Sequence, residues 1–369
     1  MFQKLFRRGE RGQMLVLVAG LLPALVGMTG IAVDAGSYAS DRRSLQNSAD
    51  SIALAAAQDL PNSSAATTTA QAWAVKNNVA WSNVTFTVSG GNVTPTVTVQ
   101  IARNHDFSFM RILGVNTKSV SSRAVAVKVS FGGSNGIVPW SVTQATINSS
   151  TAGALITMKY DATGGNTGNF GAIQIDGPGS NTYNTSVKYG SNTFACAATA
   201  PNCTTGACPG AYPNVCAETA PECNGPDCSP QTGNMTGPTR TGVDFRMNNT
   251  SAACDTFAET FTGPDANGKY HLTPNCNPYV SGPGECTTPT MLCSRRVIII
   301  PVINAFGNGS STPVTIQRFA MVYLEGYTGT CTGNSCDVQG RFVNADLTTS
   351  ALAGSYDPTA LIHFAKLSE

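Results

Sequence analysis

Charge is scarce in this chain. Only 12% of its 369 residues are Asp, Glu, Lys or Arg, and they nearly cancel to a net charge of +1, so no basic surface for nucleic acid is indicated. Histidine is scarcer still, with His105, His271 and His363 as the three in the chain. The sequence has no His-Glu-x-x-His, no phosphate-binding loop and no cofactor fingerprint, which removes the enzyme classes built on those motifs. Cysteine is missing from the first 195 residues, and Cys-x-x-Cys is missing throughout. Between Met14 and Val33 there is no charged residue at all. What fills the chain instead is 37 Gly, 20 Pro and much Thr, Ser and Asn, the profile of a turn-rich β protein.

The uncharged stretch is the strongest local signal. At 1.5 Å per helical residue, residues 14–33 reach about 30 Å, the thickness of a bilayer's hydrocarbon core. Lys4, Arg7, Arg8 and Arg11 form a basic cap over residues 1–13 and outweigh Glu10, so the positive-inside rule predicts a cytoplasmic N-terminus and an extracytoplasmic bulk. A cleaved secretory signal is the competing reading, with small residues placed for a peptidase around Val33-Asp34-Ala35. The length of the apolar run favours a retained anchor, and so does its continuation into a second helical pattern. Arg43, Leu45, Ala49, Ile52, Ala53 and Ala56 share related helical positions ahead of a Pro61 stop. Pro23 inside the span is tolerated where neighbours satisfy the freed carbonyl.

Arg11-Gly12-Gln13, the apolar run, Gly30-Ile31-Ala32-Val33-Asp34-Ala35-Gly36, Asp41 to Asp50 with Leu45-Gln46 and Ala49-Asp50, and Ala53 to Ala57 follow one another in fixed order. Over residues 9–60 this pattern resembles the N-terminal module of TadE/TadG-like proteins of the tight-adherence (Flp pilus) systems of bacteria. Less distinctively, Gly168 to Ala172, Gly233 to Thr239, Arg296 to Pro301 and Gly340 to Val343 are similar to regions that accompany the module. The resemblance implies a membrane-anchored pilus-assembly or minor-pilin-like protein. Its implied partners are other pilus assembly proteins or pilins and the lipid bilayer, with self-association through the N-terminal helix as a further candidate. It also makes Asp34, Gly36, Leu45, Gln46, Ala49 and Asp50 the motif and stalk-contact candidates. The chain departs from processed pilins, which carry a glutamate five residues after the cut glycine, because Leu17 and Met14 stand there counting from Gly12 and Gly9. It lacks the Asp-x-Ser-x-Ser of the metal-dependent adhesion site that some larger TadG proteins carry.

Beyond the span, residues 34–131 read as a small α+β domain in the order helix, strand, strand, helix, strand. A helical piece covers Thr67 to Asn78, and alternating strands cover Val84 to Val88 and Thr96 to Ile101 around Gly90-Gly91-Asn92. Phe107, Phe109, Met110, Ile112 and Leu113 read as a short apolar helix ended by Gly114, followed by a third strand from Val120 to Val129. Gly132-Gly133-Ser134-Asn135-Gly136 formally matches a nucleophile elbow. Pro139 forbids the helix that motif needs, so a hinge is the preferred reading. Residues 132–369 read as a mainly β, sandwich- or barrel-like domain, with strands at Val297 to Ile303, Val314 to Tyr323 and Phe342-Val343.

All 12 cysteines lie in this second region. Cys196, Cys203 and Cys208 recur as Cys216, Cys223 and Cys228, each twenty residues on, a tandem duplication inside an insertion at 196–236. Cys254, Cys276, Cys286, Cys293, Cys331 and Cys336 complete an even number. Irregular gaps argue against zinc, and an extracytoplasmic address argues for disulfides of unknown pairing. Each is typically worth about 2–4 kcal/mol in a segment with little apolar surface to bury. His105 reads as a surface or capping residue and His271 as a weak metal candidate. Asp161, Asn166 and Asp176 lie in Gly-rich loops that turn chemistry explains without calcium. The sequence therefore predicts a non-enzymatic, single-pass envelope protein with no cofactor. A surface adhesin or carbohydrate-binding module on a similar anchor is the alternative.

Overall fold

The computed structural model describes residues 9–160, 169–198, 223–224, 227–248, 252–265, 268–279, 293–306, 313–333, 335–347 and 352–368. The chain divides into two compact units, the first made of residues up to Gly90, Pro95–Val127 and the last four residues, the second chiefly of Lys128–Ala365.

The first unit is built on one helix, α1 (Gly9–Gln58), which carries the apolar run and the Ala-rich stretch without interruption. From Val18 to Val33 its large apolar side chains are exposed. From Leu45 onward one stripe is buried: Leu45, Ala49, Ile52, Ala53, Ala56 and Ala57 recur at the three- and four-residue spacing of a helix face. That stripe packs against α2 (Ser63–Lys76), whose buried Ala66, Ala70 and Ala74 are small enough to bring the two helices close, and against the sheet. Asn62 starts α2 by accepting a hydrogen bond from the Ala65 amide at 3.1 Å.

Three antiparallel strands of a seven-stranded sheet follow, β1 (Val84–Ser89), β2 (Thr96–Asp106) and β3 (Thr117–Ser134). Val97, Val99 and Ile101 of β2 pair with Ala126, Ala124 and Ser122 of β3, which sets these residues on one face. Val84, Phe86 and Val88 of β1 lie opposite Ile101, Val99 and Val97 on that face. The order helix, helix, strand, strand, short helical turn, strand matches the α+β expectation. The apolar helix expected at 107–113 is a single 3-10 turn, Met110–Leu113, and most of its apolar side chains point outward.

The second unit is mostly β. The main path of a seven-stranded sheet runs in the order β4 (Val142–Thr143), β6 (Val297–Ile303), β7 (Val314–Tyr327), β8 (Val338–Val343), β5 (Leu155–Lys159), and along it only the β4–β6 pair is parallel. Every residue of β6 is buried, as a central strand covered on both faces requires. On one face Ile298, Ile300, Val302, Val322 and Leu324 form a core with Trp140, Val187 and Val243. Val187 lies on α3 (Ser180–Tyr189) and Val243 on α4 (Thr236–Asn248), so a helical layer covers this face. On the other face Phe319 meets Phe131 edge to face, with ring centroids 5.3 Å apart. Gly242 lets α4 approach α3, since a methyl group there would come within 2.3 Å of Val187.

The hinge expected at residues 132–136 is absent. β3 continues through Gly132 and Gly133 to Ser134, pairs with Ala195–Cys196 and Leu352–Gly354, and is buried there. Ser134 is an extended residue whose hydroxyl lies 3.4 Å from Asn135 Oδ1, which removes the nucleophile-elbow reading.

Several buried polar groups in this unit have partners within it. Trp140 Nε1 donates to the Tyr183 hydroxyl at 2.7 Å, which stands 2.9 Å from Thr239 Oγ1; burial pushes the Tyr183 phenol up to about 12. Lys159, fully buried, donates to Asn234 Oδ1 at 3.0 Å and to the Tyr160 carbonyl at 3.2 Å. Lys128 and Lys269 share the Asp346 carboxylate, at 3.3 and 3.0 Å. Two disulfides join Cys254 to Cys276, with an S–S distance of 2.03 Å, and Cys331 to Cys336. Cys196, Cys228 and Cys293 are buried and disulfide-bonded. Cys203, Cys208, Cys216 and Cys286, with most of the 196–236 insertion, lie outside the described residues.

Candidate functional site

The site grows out of the end of the apolar run. Asp34 is the first charged residue after the run, yet its side chain is buried. Its two carboxylate oxygens accept three backbone hydrogen bonds from the β2–β3 connection: Ser108 N at 3.0 Å, Phe109 N at 2.8 Å and Met110 N at 2.7 Å. Burial works against the charge, but these amides, with His105 nearby, outweigh it and hold the carboxyl below the usual range. One helical turn earlier, Gly30 meets the Phe109 ring, and a methyl group on Gly30 would come within 2.8 Å of it. Gly30 and Asp34 thus form a two-point seat, one by omitting a side chain and the other by supplying an acceptor.

Above the seat lies a polar band. His105 Nδ1 stands 3.0 Å from Asp41 Oδ2 and its Nε2 stands 3.2 Å from Ser37 Oγ, while Arg103 pairs with Asp41. Tyr38 packs edge-on to His105 at 5.6 Å, its hydroxyl donates to the Ser119 carbonyl, and Lys118 lies over its ring. Higher still, Gln46 Nε2 donates to Asp50 Oδ1 at 2.8 Å and to the Arg123 carbonyl at 3.0 Å.

Most of the motif residues are thereby placed. Asp34 and Gln46 fix the helix to the β2–β3 hairpin, Asp50 holds the Gln46 amide from within the helix, and Gly36 faces open space. Leu45 and Ala49 are a correction: expected as contacts for a partner helix, they are at most 2% exposed, because the small side chains of this stretch serve packing within the chain. His105, read as a capping or surface residue, is a strand residue of the polar band. Gly30, Phe109 and Arg103 were missed as site residues. The Gly-x-x-x-Asp spacing was legible, but its partner at residues 108–110 lies more than seventy positions away.

Residues 12–59 match the family model described as “Putative Flp pilus-assembly TadE/G-like”. The N-terminal module is TadE/G-like. The match takes in the apolar run, the Gly30–Asp34 seat and the buried Ala stripe. No curated protein and no solved structure matches the chain. The TadE/G-like module includes one helix long and apolar enough to cross a membrane.

The second unit offers a different cluster. An open cavity of about 400 Å³ is lined by Asp255, Phe257, Arg296, Tyr323, Glu325 and Arg341. Arg296 reaches Asp255 at 3.3 Å and Glu325 at 3.5 Å, and Arg341 reaches Glu325 at 2.5 Å. Two guanidiniums against two carboxylates leave no net charge to attract an ion. Burial pushes the Tyr323 phenol up, and its hydroxyl donates to the Asp255 carbonyl. This is a clamp of paired groups. His271, weighed as a metal ligand, is exposed and pairs with Asp265 at 3.3 Å. Asp176 accepts from Ser186, Asn192 and Thr193 and so closes the loop after α3, as turn chemistry predicts; Asp161 and Asn166 lie outside the described residues. Among the described residues no group of three or more His, Cys, Asp or Glu is placed to hold a metal ion.

Proposed function

We propose that this chain is a membrane-anchored component of a Flp-type pilus or secretion assembly, acting by binding and positioning and without catalysis. The observation that carries the reading is the TadE/G-like match over residues 12–59, which coincides with a helix whose first part is exposed and apolar and whose later part is tied into a folded domain. In this reading residues 14–33 span the membrane. Lys4, Arg7, Arg8 and Arg11 hold the N-terminus in the cytoplasm, and the disulfide-bonded unit stands on the extracytoplasmic side, where such bonds persist. The partners are other pilus assembly proteins or pilins. With Leu45 and Ala49 already covered, partner contact falls to the exposed face of the span, to Gly36 or to the second unit.

Deletion in the native host, scored for surface pili and for attachment, tests the proposal. Loss of pili supports it. Intact pili with lost attachment would make the protein an adhesin on a borrowed anchor, and intact pili with intact attachment would refute both. Protease added outside intact cells should remove the second unit and leave the N-terminus protected.

A further inference from the structure

The connection from β2 to β3 ends in a tip with exposed apolar side chains. Phe109 is 43% exposed, Ile112 85%, Leu113 66% and Val115 38%, four large apolar residues in seven. Monomeric proteins rarely display such a patch on one tight turn without a use for it. Its position is fixed by the seat already described. Phe109 lies on Gly30, and Asp34 holds the amides of residues 108–110, so the tip sits level with the last turn of the apolar run. Met28, Ile31 and Val33 of α1 are exposed at that same level. The apolar surface of the span therefore continues onto the tip, where the exposed Arg111 is the one charged residue and has a side chain long enough to reach the headgroup layer.

Two further features fit a non-aqueous setting. From Phe107 to Val115, seven backbone N–H groups find acceptors inside the tip or on Asp34, and a segment that leaves water must satisfy its backbone internally. Immediately above come Tyr38, Lys118 and the Asp41–Arg103–His105 group, the aromatic and charged residues suited to the headgroup layer.

The geometry points to a second membrane contact: the tip of residues 108–115 inserts Phe109, Ile112 and Leu113 into the acyl-chain boundary of the leaflet nearest the folded domain, beside the span. The occupant is lipid, argued from continuity with the exposed span. The inference rests on the reading of residues 14–33 as a membrane anchor. It adds a lateral foothold that fixes the rotation of α1 about its axis, which a single helix cannot fix for itself.

The test uses the full chain with Ile112→Trp, reconstituted in phosphatidylcholine vesicles with and without bromine on the acyl chains, and the unsubstituted protein as background for Trp73, Trp81 and Trp140. Ile112 is exposed, so the substitution leaves packing intact. The expected result is that bromolipid removes most of the added emission while aqueous acrylamide removes little. Added emission quenched by acrylamide and untouched by bromolipid would overturn the inference and place the tip in water. Added emission shielded from both would overturn it in favour of a second copy covering the tip. Either result, with the protein still resistant to alkaline carbonate extraction, leaves the anchor reading standing. Protein released by carbonate would overturn the anchor and this inference together.

Discussion

Gly30 and Phe109 touch across a gap that admits no side chain, since a methyl group on Gly30 would stand 2.8 Å from the ring. Gly30→Ala should therefore lift Phe109 from the helix and loosen the tip. The measurement is amide hydrogen exchange at residues 108–110, which should accelerate while β2 and β3 stay protected. Adding Phe109→Ala should restore much of the protection, because the clash is then removed. The non-additivity of the pair is the signature of direct contact.

Asp34 makes the second half of the seat, and its contribution has a defined pH dependence. A carboxyl whose folded value lies below its unfolded one contributes stability that is fully present above about pH 4 and lost as pH falls through the folded value. Exchange at Ser108, Phe109 and Met110, corrected for its intrinsic rate, should be flat from pH 7 to pH 5 and rise in stronger acid. Asp34→Ala should show the fast rate throughout, by about tenfold, the effect of losing a typical cap. If that variant keeps the protection of the parent, the seat does not hold the tip.

Asp346 serves two lysines at once, one of them, Lys128, with a side chain only 1% exposed. Asp346→Ala removes the carboxylate that the two lysines share and should cost about 3–5 kcal/mol in denaturant unfolding. Burial pulls Lys128 down to about 8, more than Asp346 restores. Between about pH 8 and the unfolded value of 10.5 the unfolded chain keeps a proton that the folded one has shed, so stability should rise with pH in that window. Lys128→Met should flatten this rise. A rise of unchanged slope in that variant would show that another group titrates.

The Cys254–Cys276 bridge closes a loop of sequence separation 22 around the start of the Arg296–Glu325–Arg341 clamp. Replacing both cysteines by serine should cost about 2–4 kcal/mol and leave the first unit untouched. Thiol labelling before reduction should modify neither residue in the parent protein. Labelling of both would return zinc to consideration.

How much of this was legible depends on the range of the interaction. The strand at Val297 to Ile303 appears with the bounds its β-branched run suggests, and α1 runs through the pattern that defines it. Residues 107–113 read as a short apolar helix, and only a 3-10 turn with exposed side chains forms, because composition is silent about what covers a segment. The hinge reading at Gly132–Gly136 failed for the opposite reason. Glycines there permit close approach to Ala195 and Cys196, which is a tertiary fact. α3 and α4 escaped notice because Ser180–Tyr189 and Thr236–Asn248 are polar and rich in Thr, and they are helical through packing on the sheet more than through propensity. Buried Lys128 and Lys159 look like surface residues until their oxygen partners, far along the chain, are in place.

α1 carries the apolar run and the buried Ala stripe with no loop between them, and past Pro23 its remaining residues extend about 50 Å at 1.5 Å per residue. A lever of that kind has no slack. On the proposed anchor, a lean of the apolar end is passed along the helix to the domain built on its far end, so bilayer thickness and sideways pull become steering inputs for the first unit.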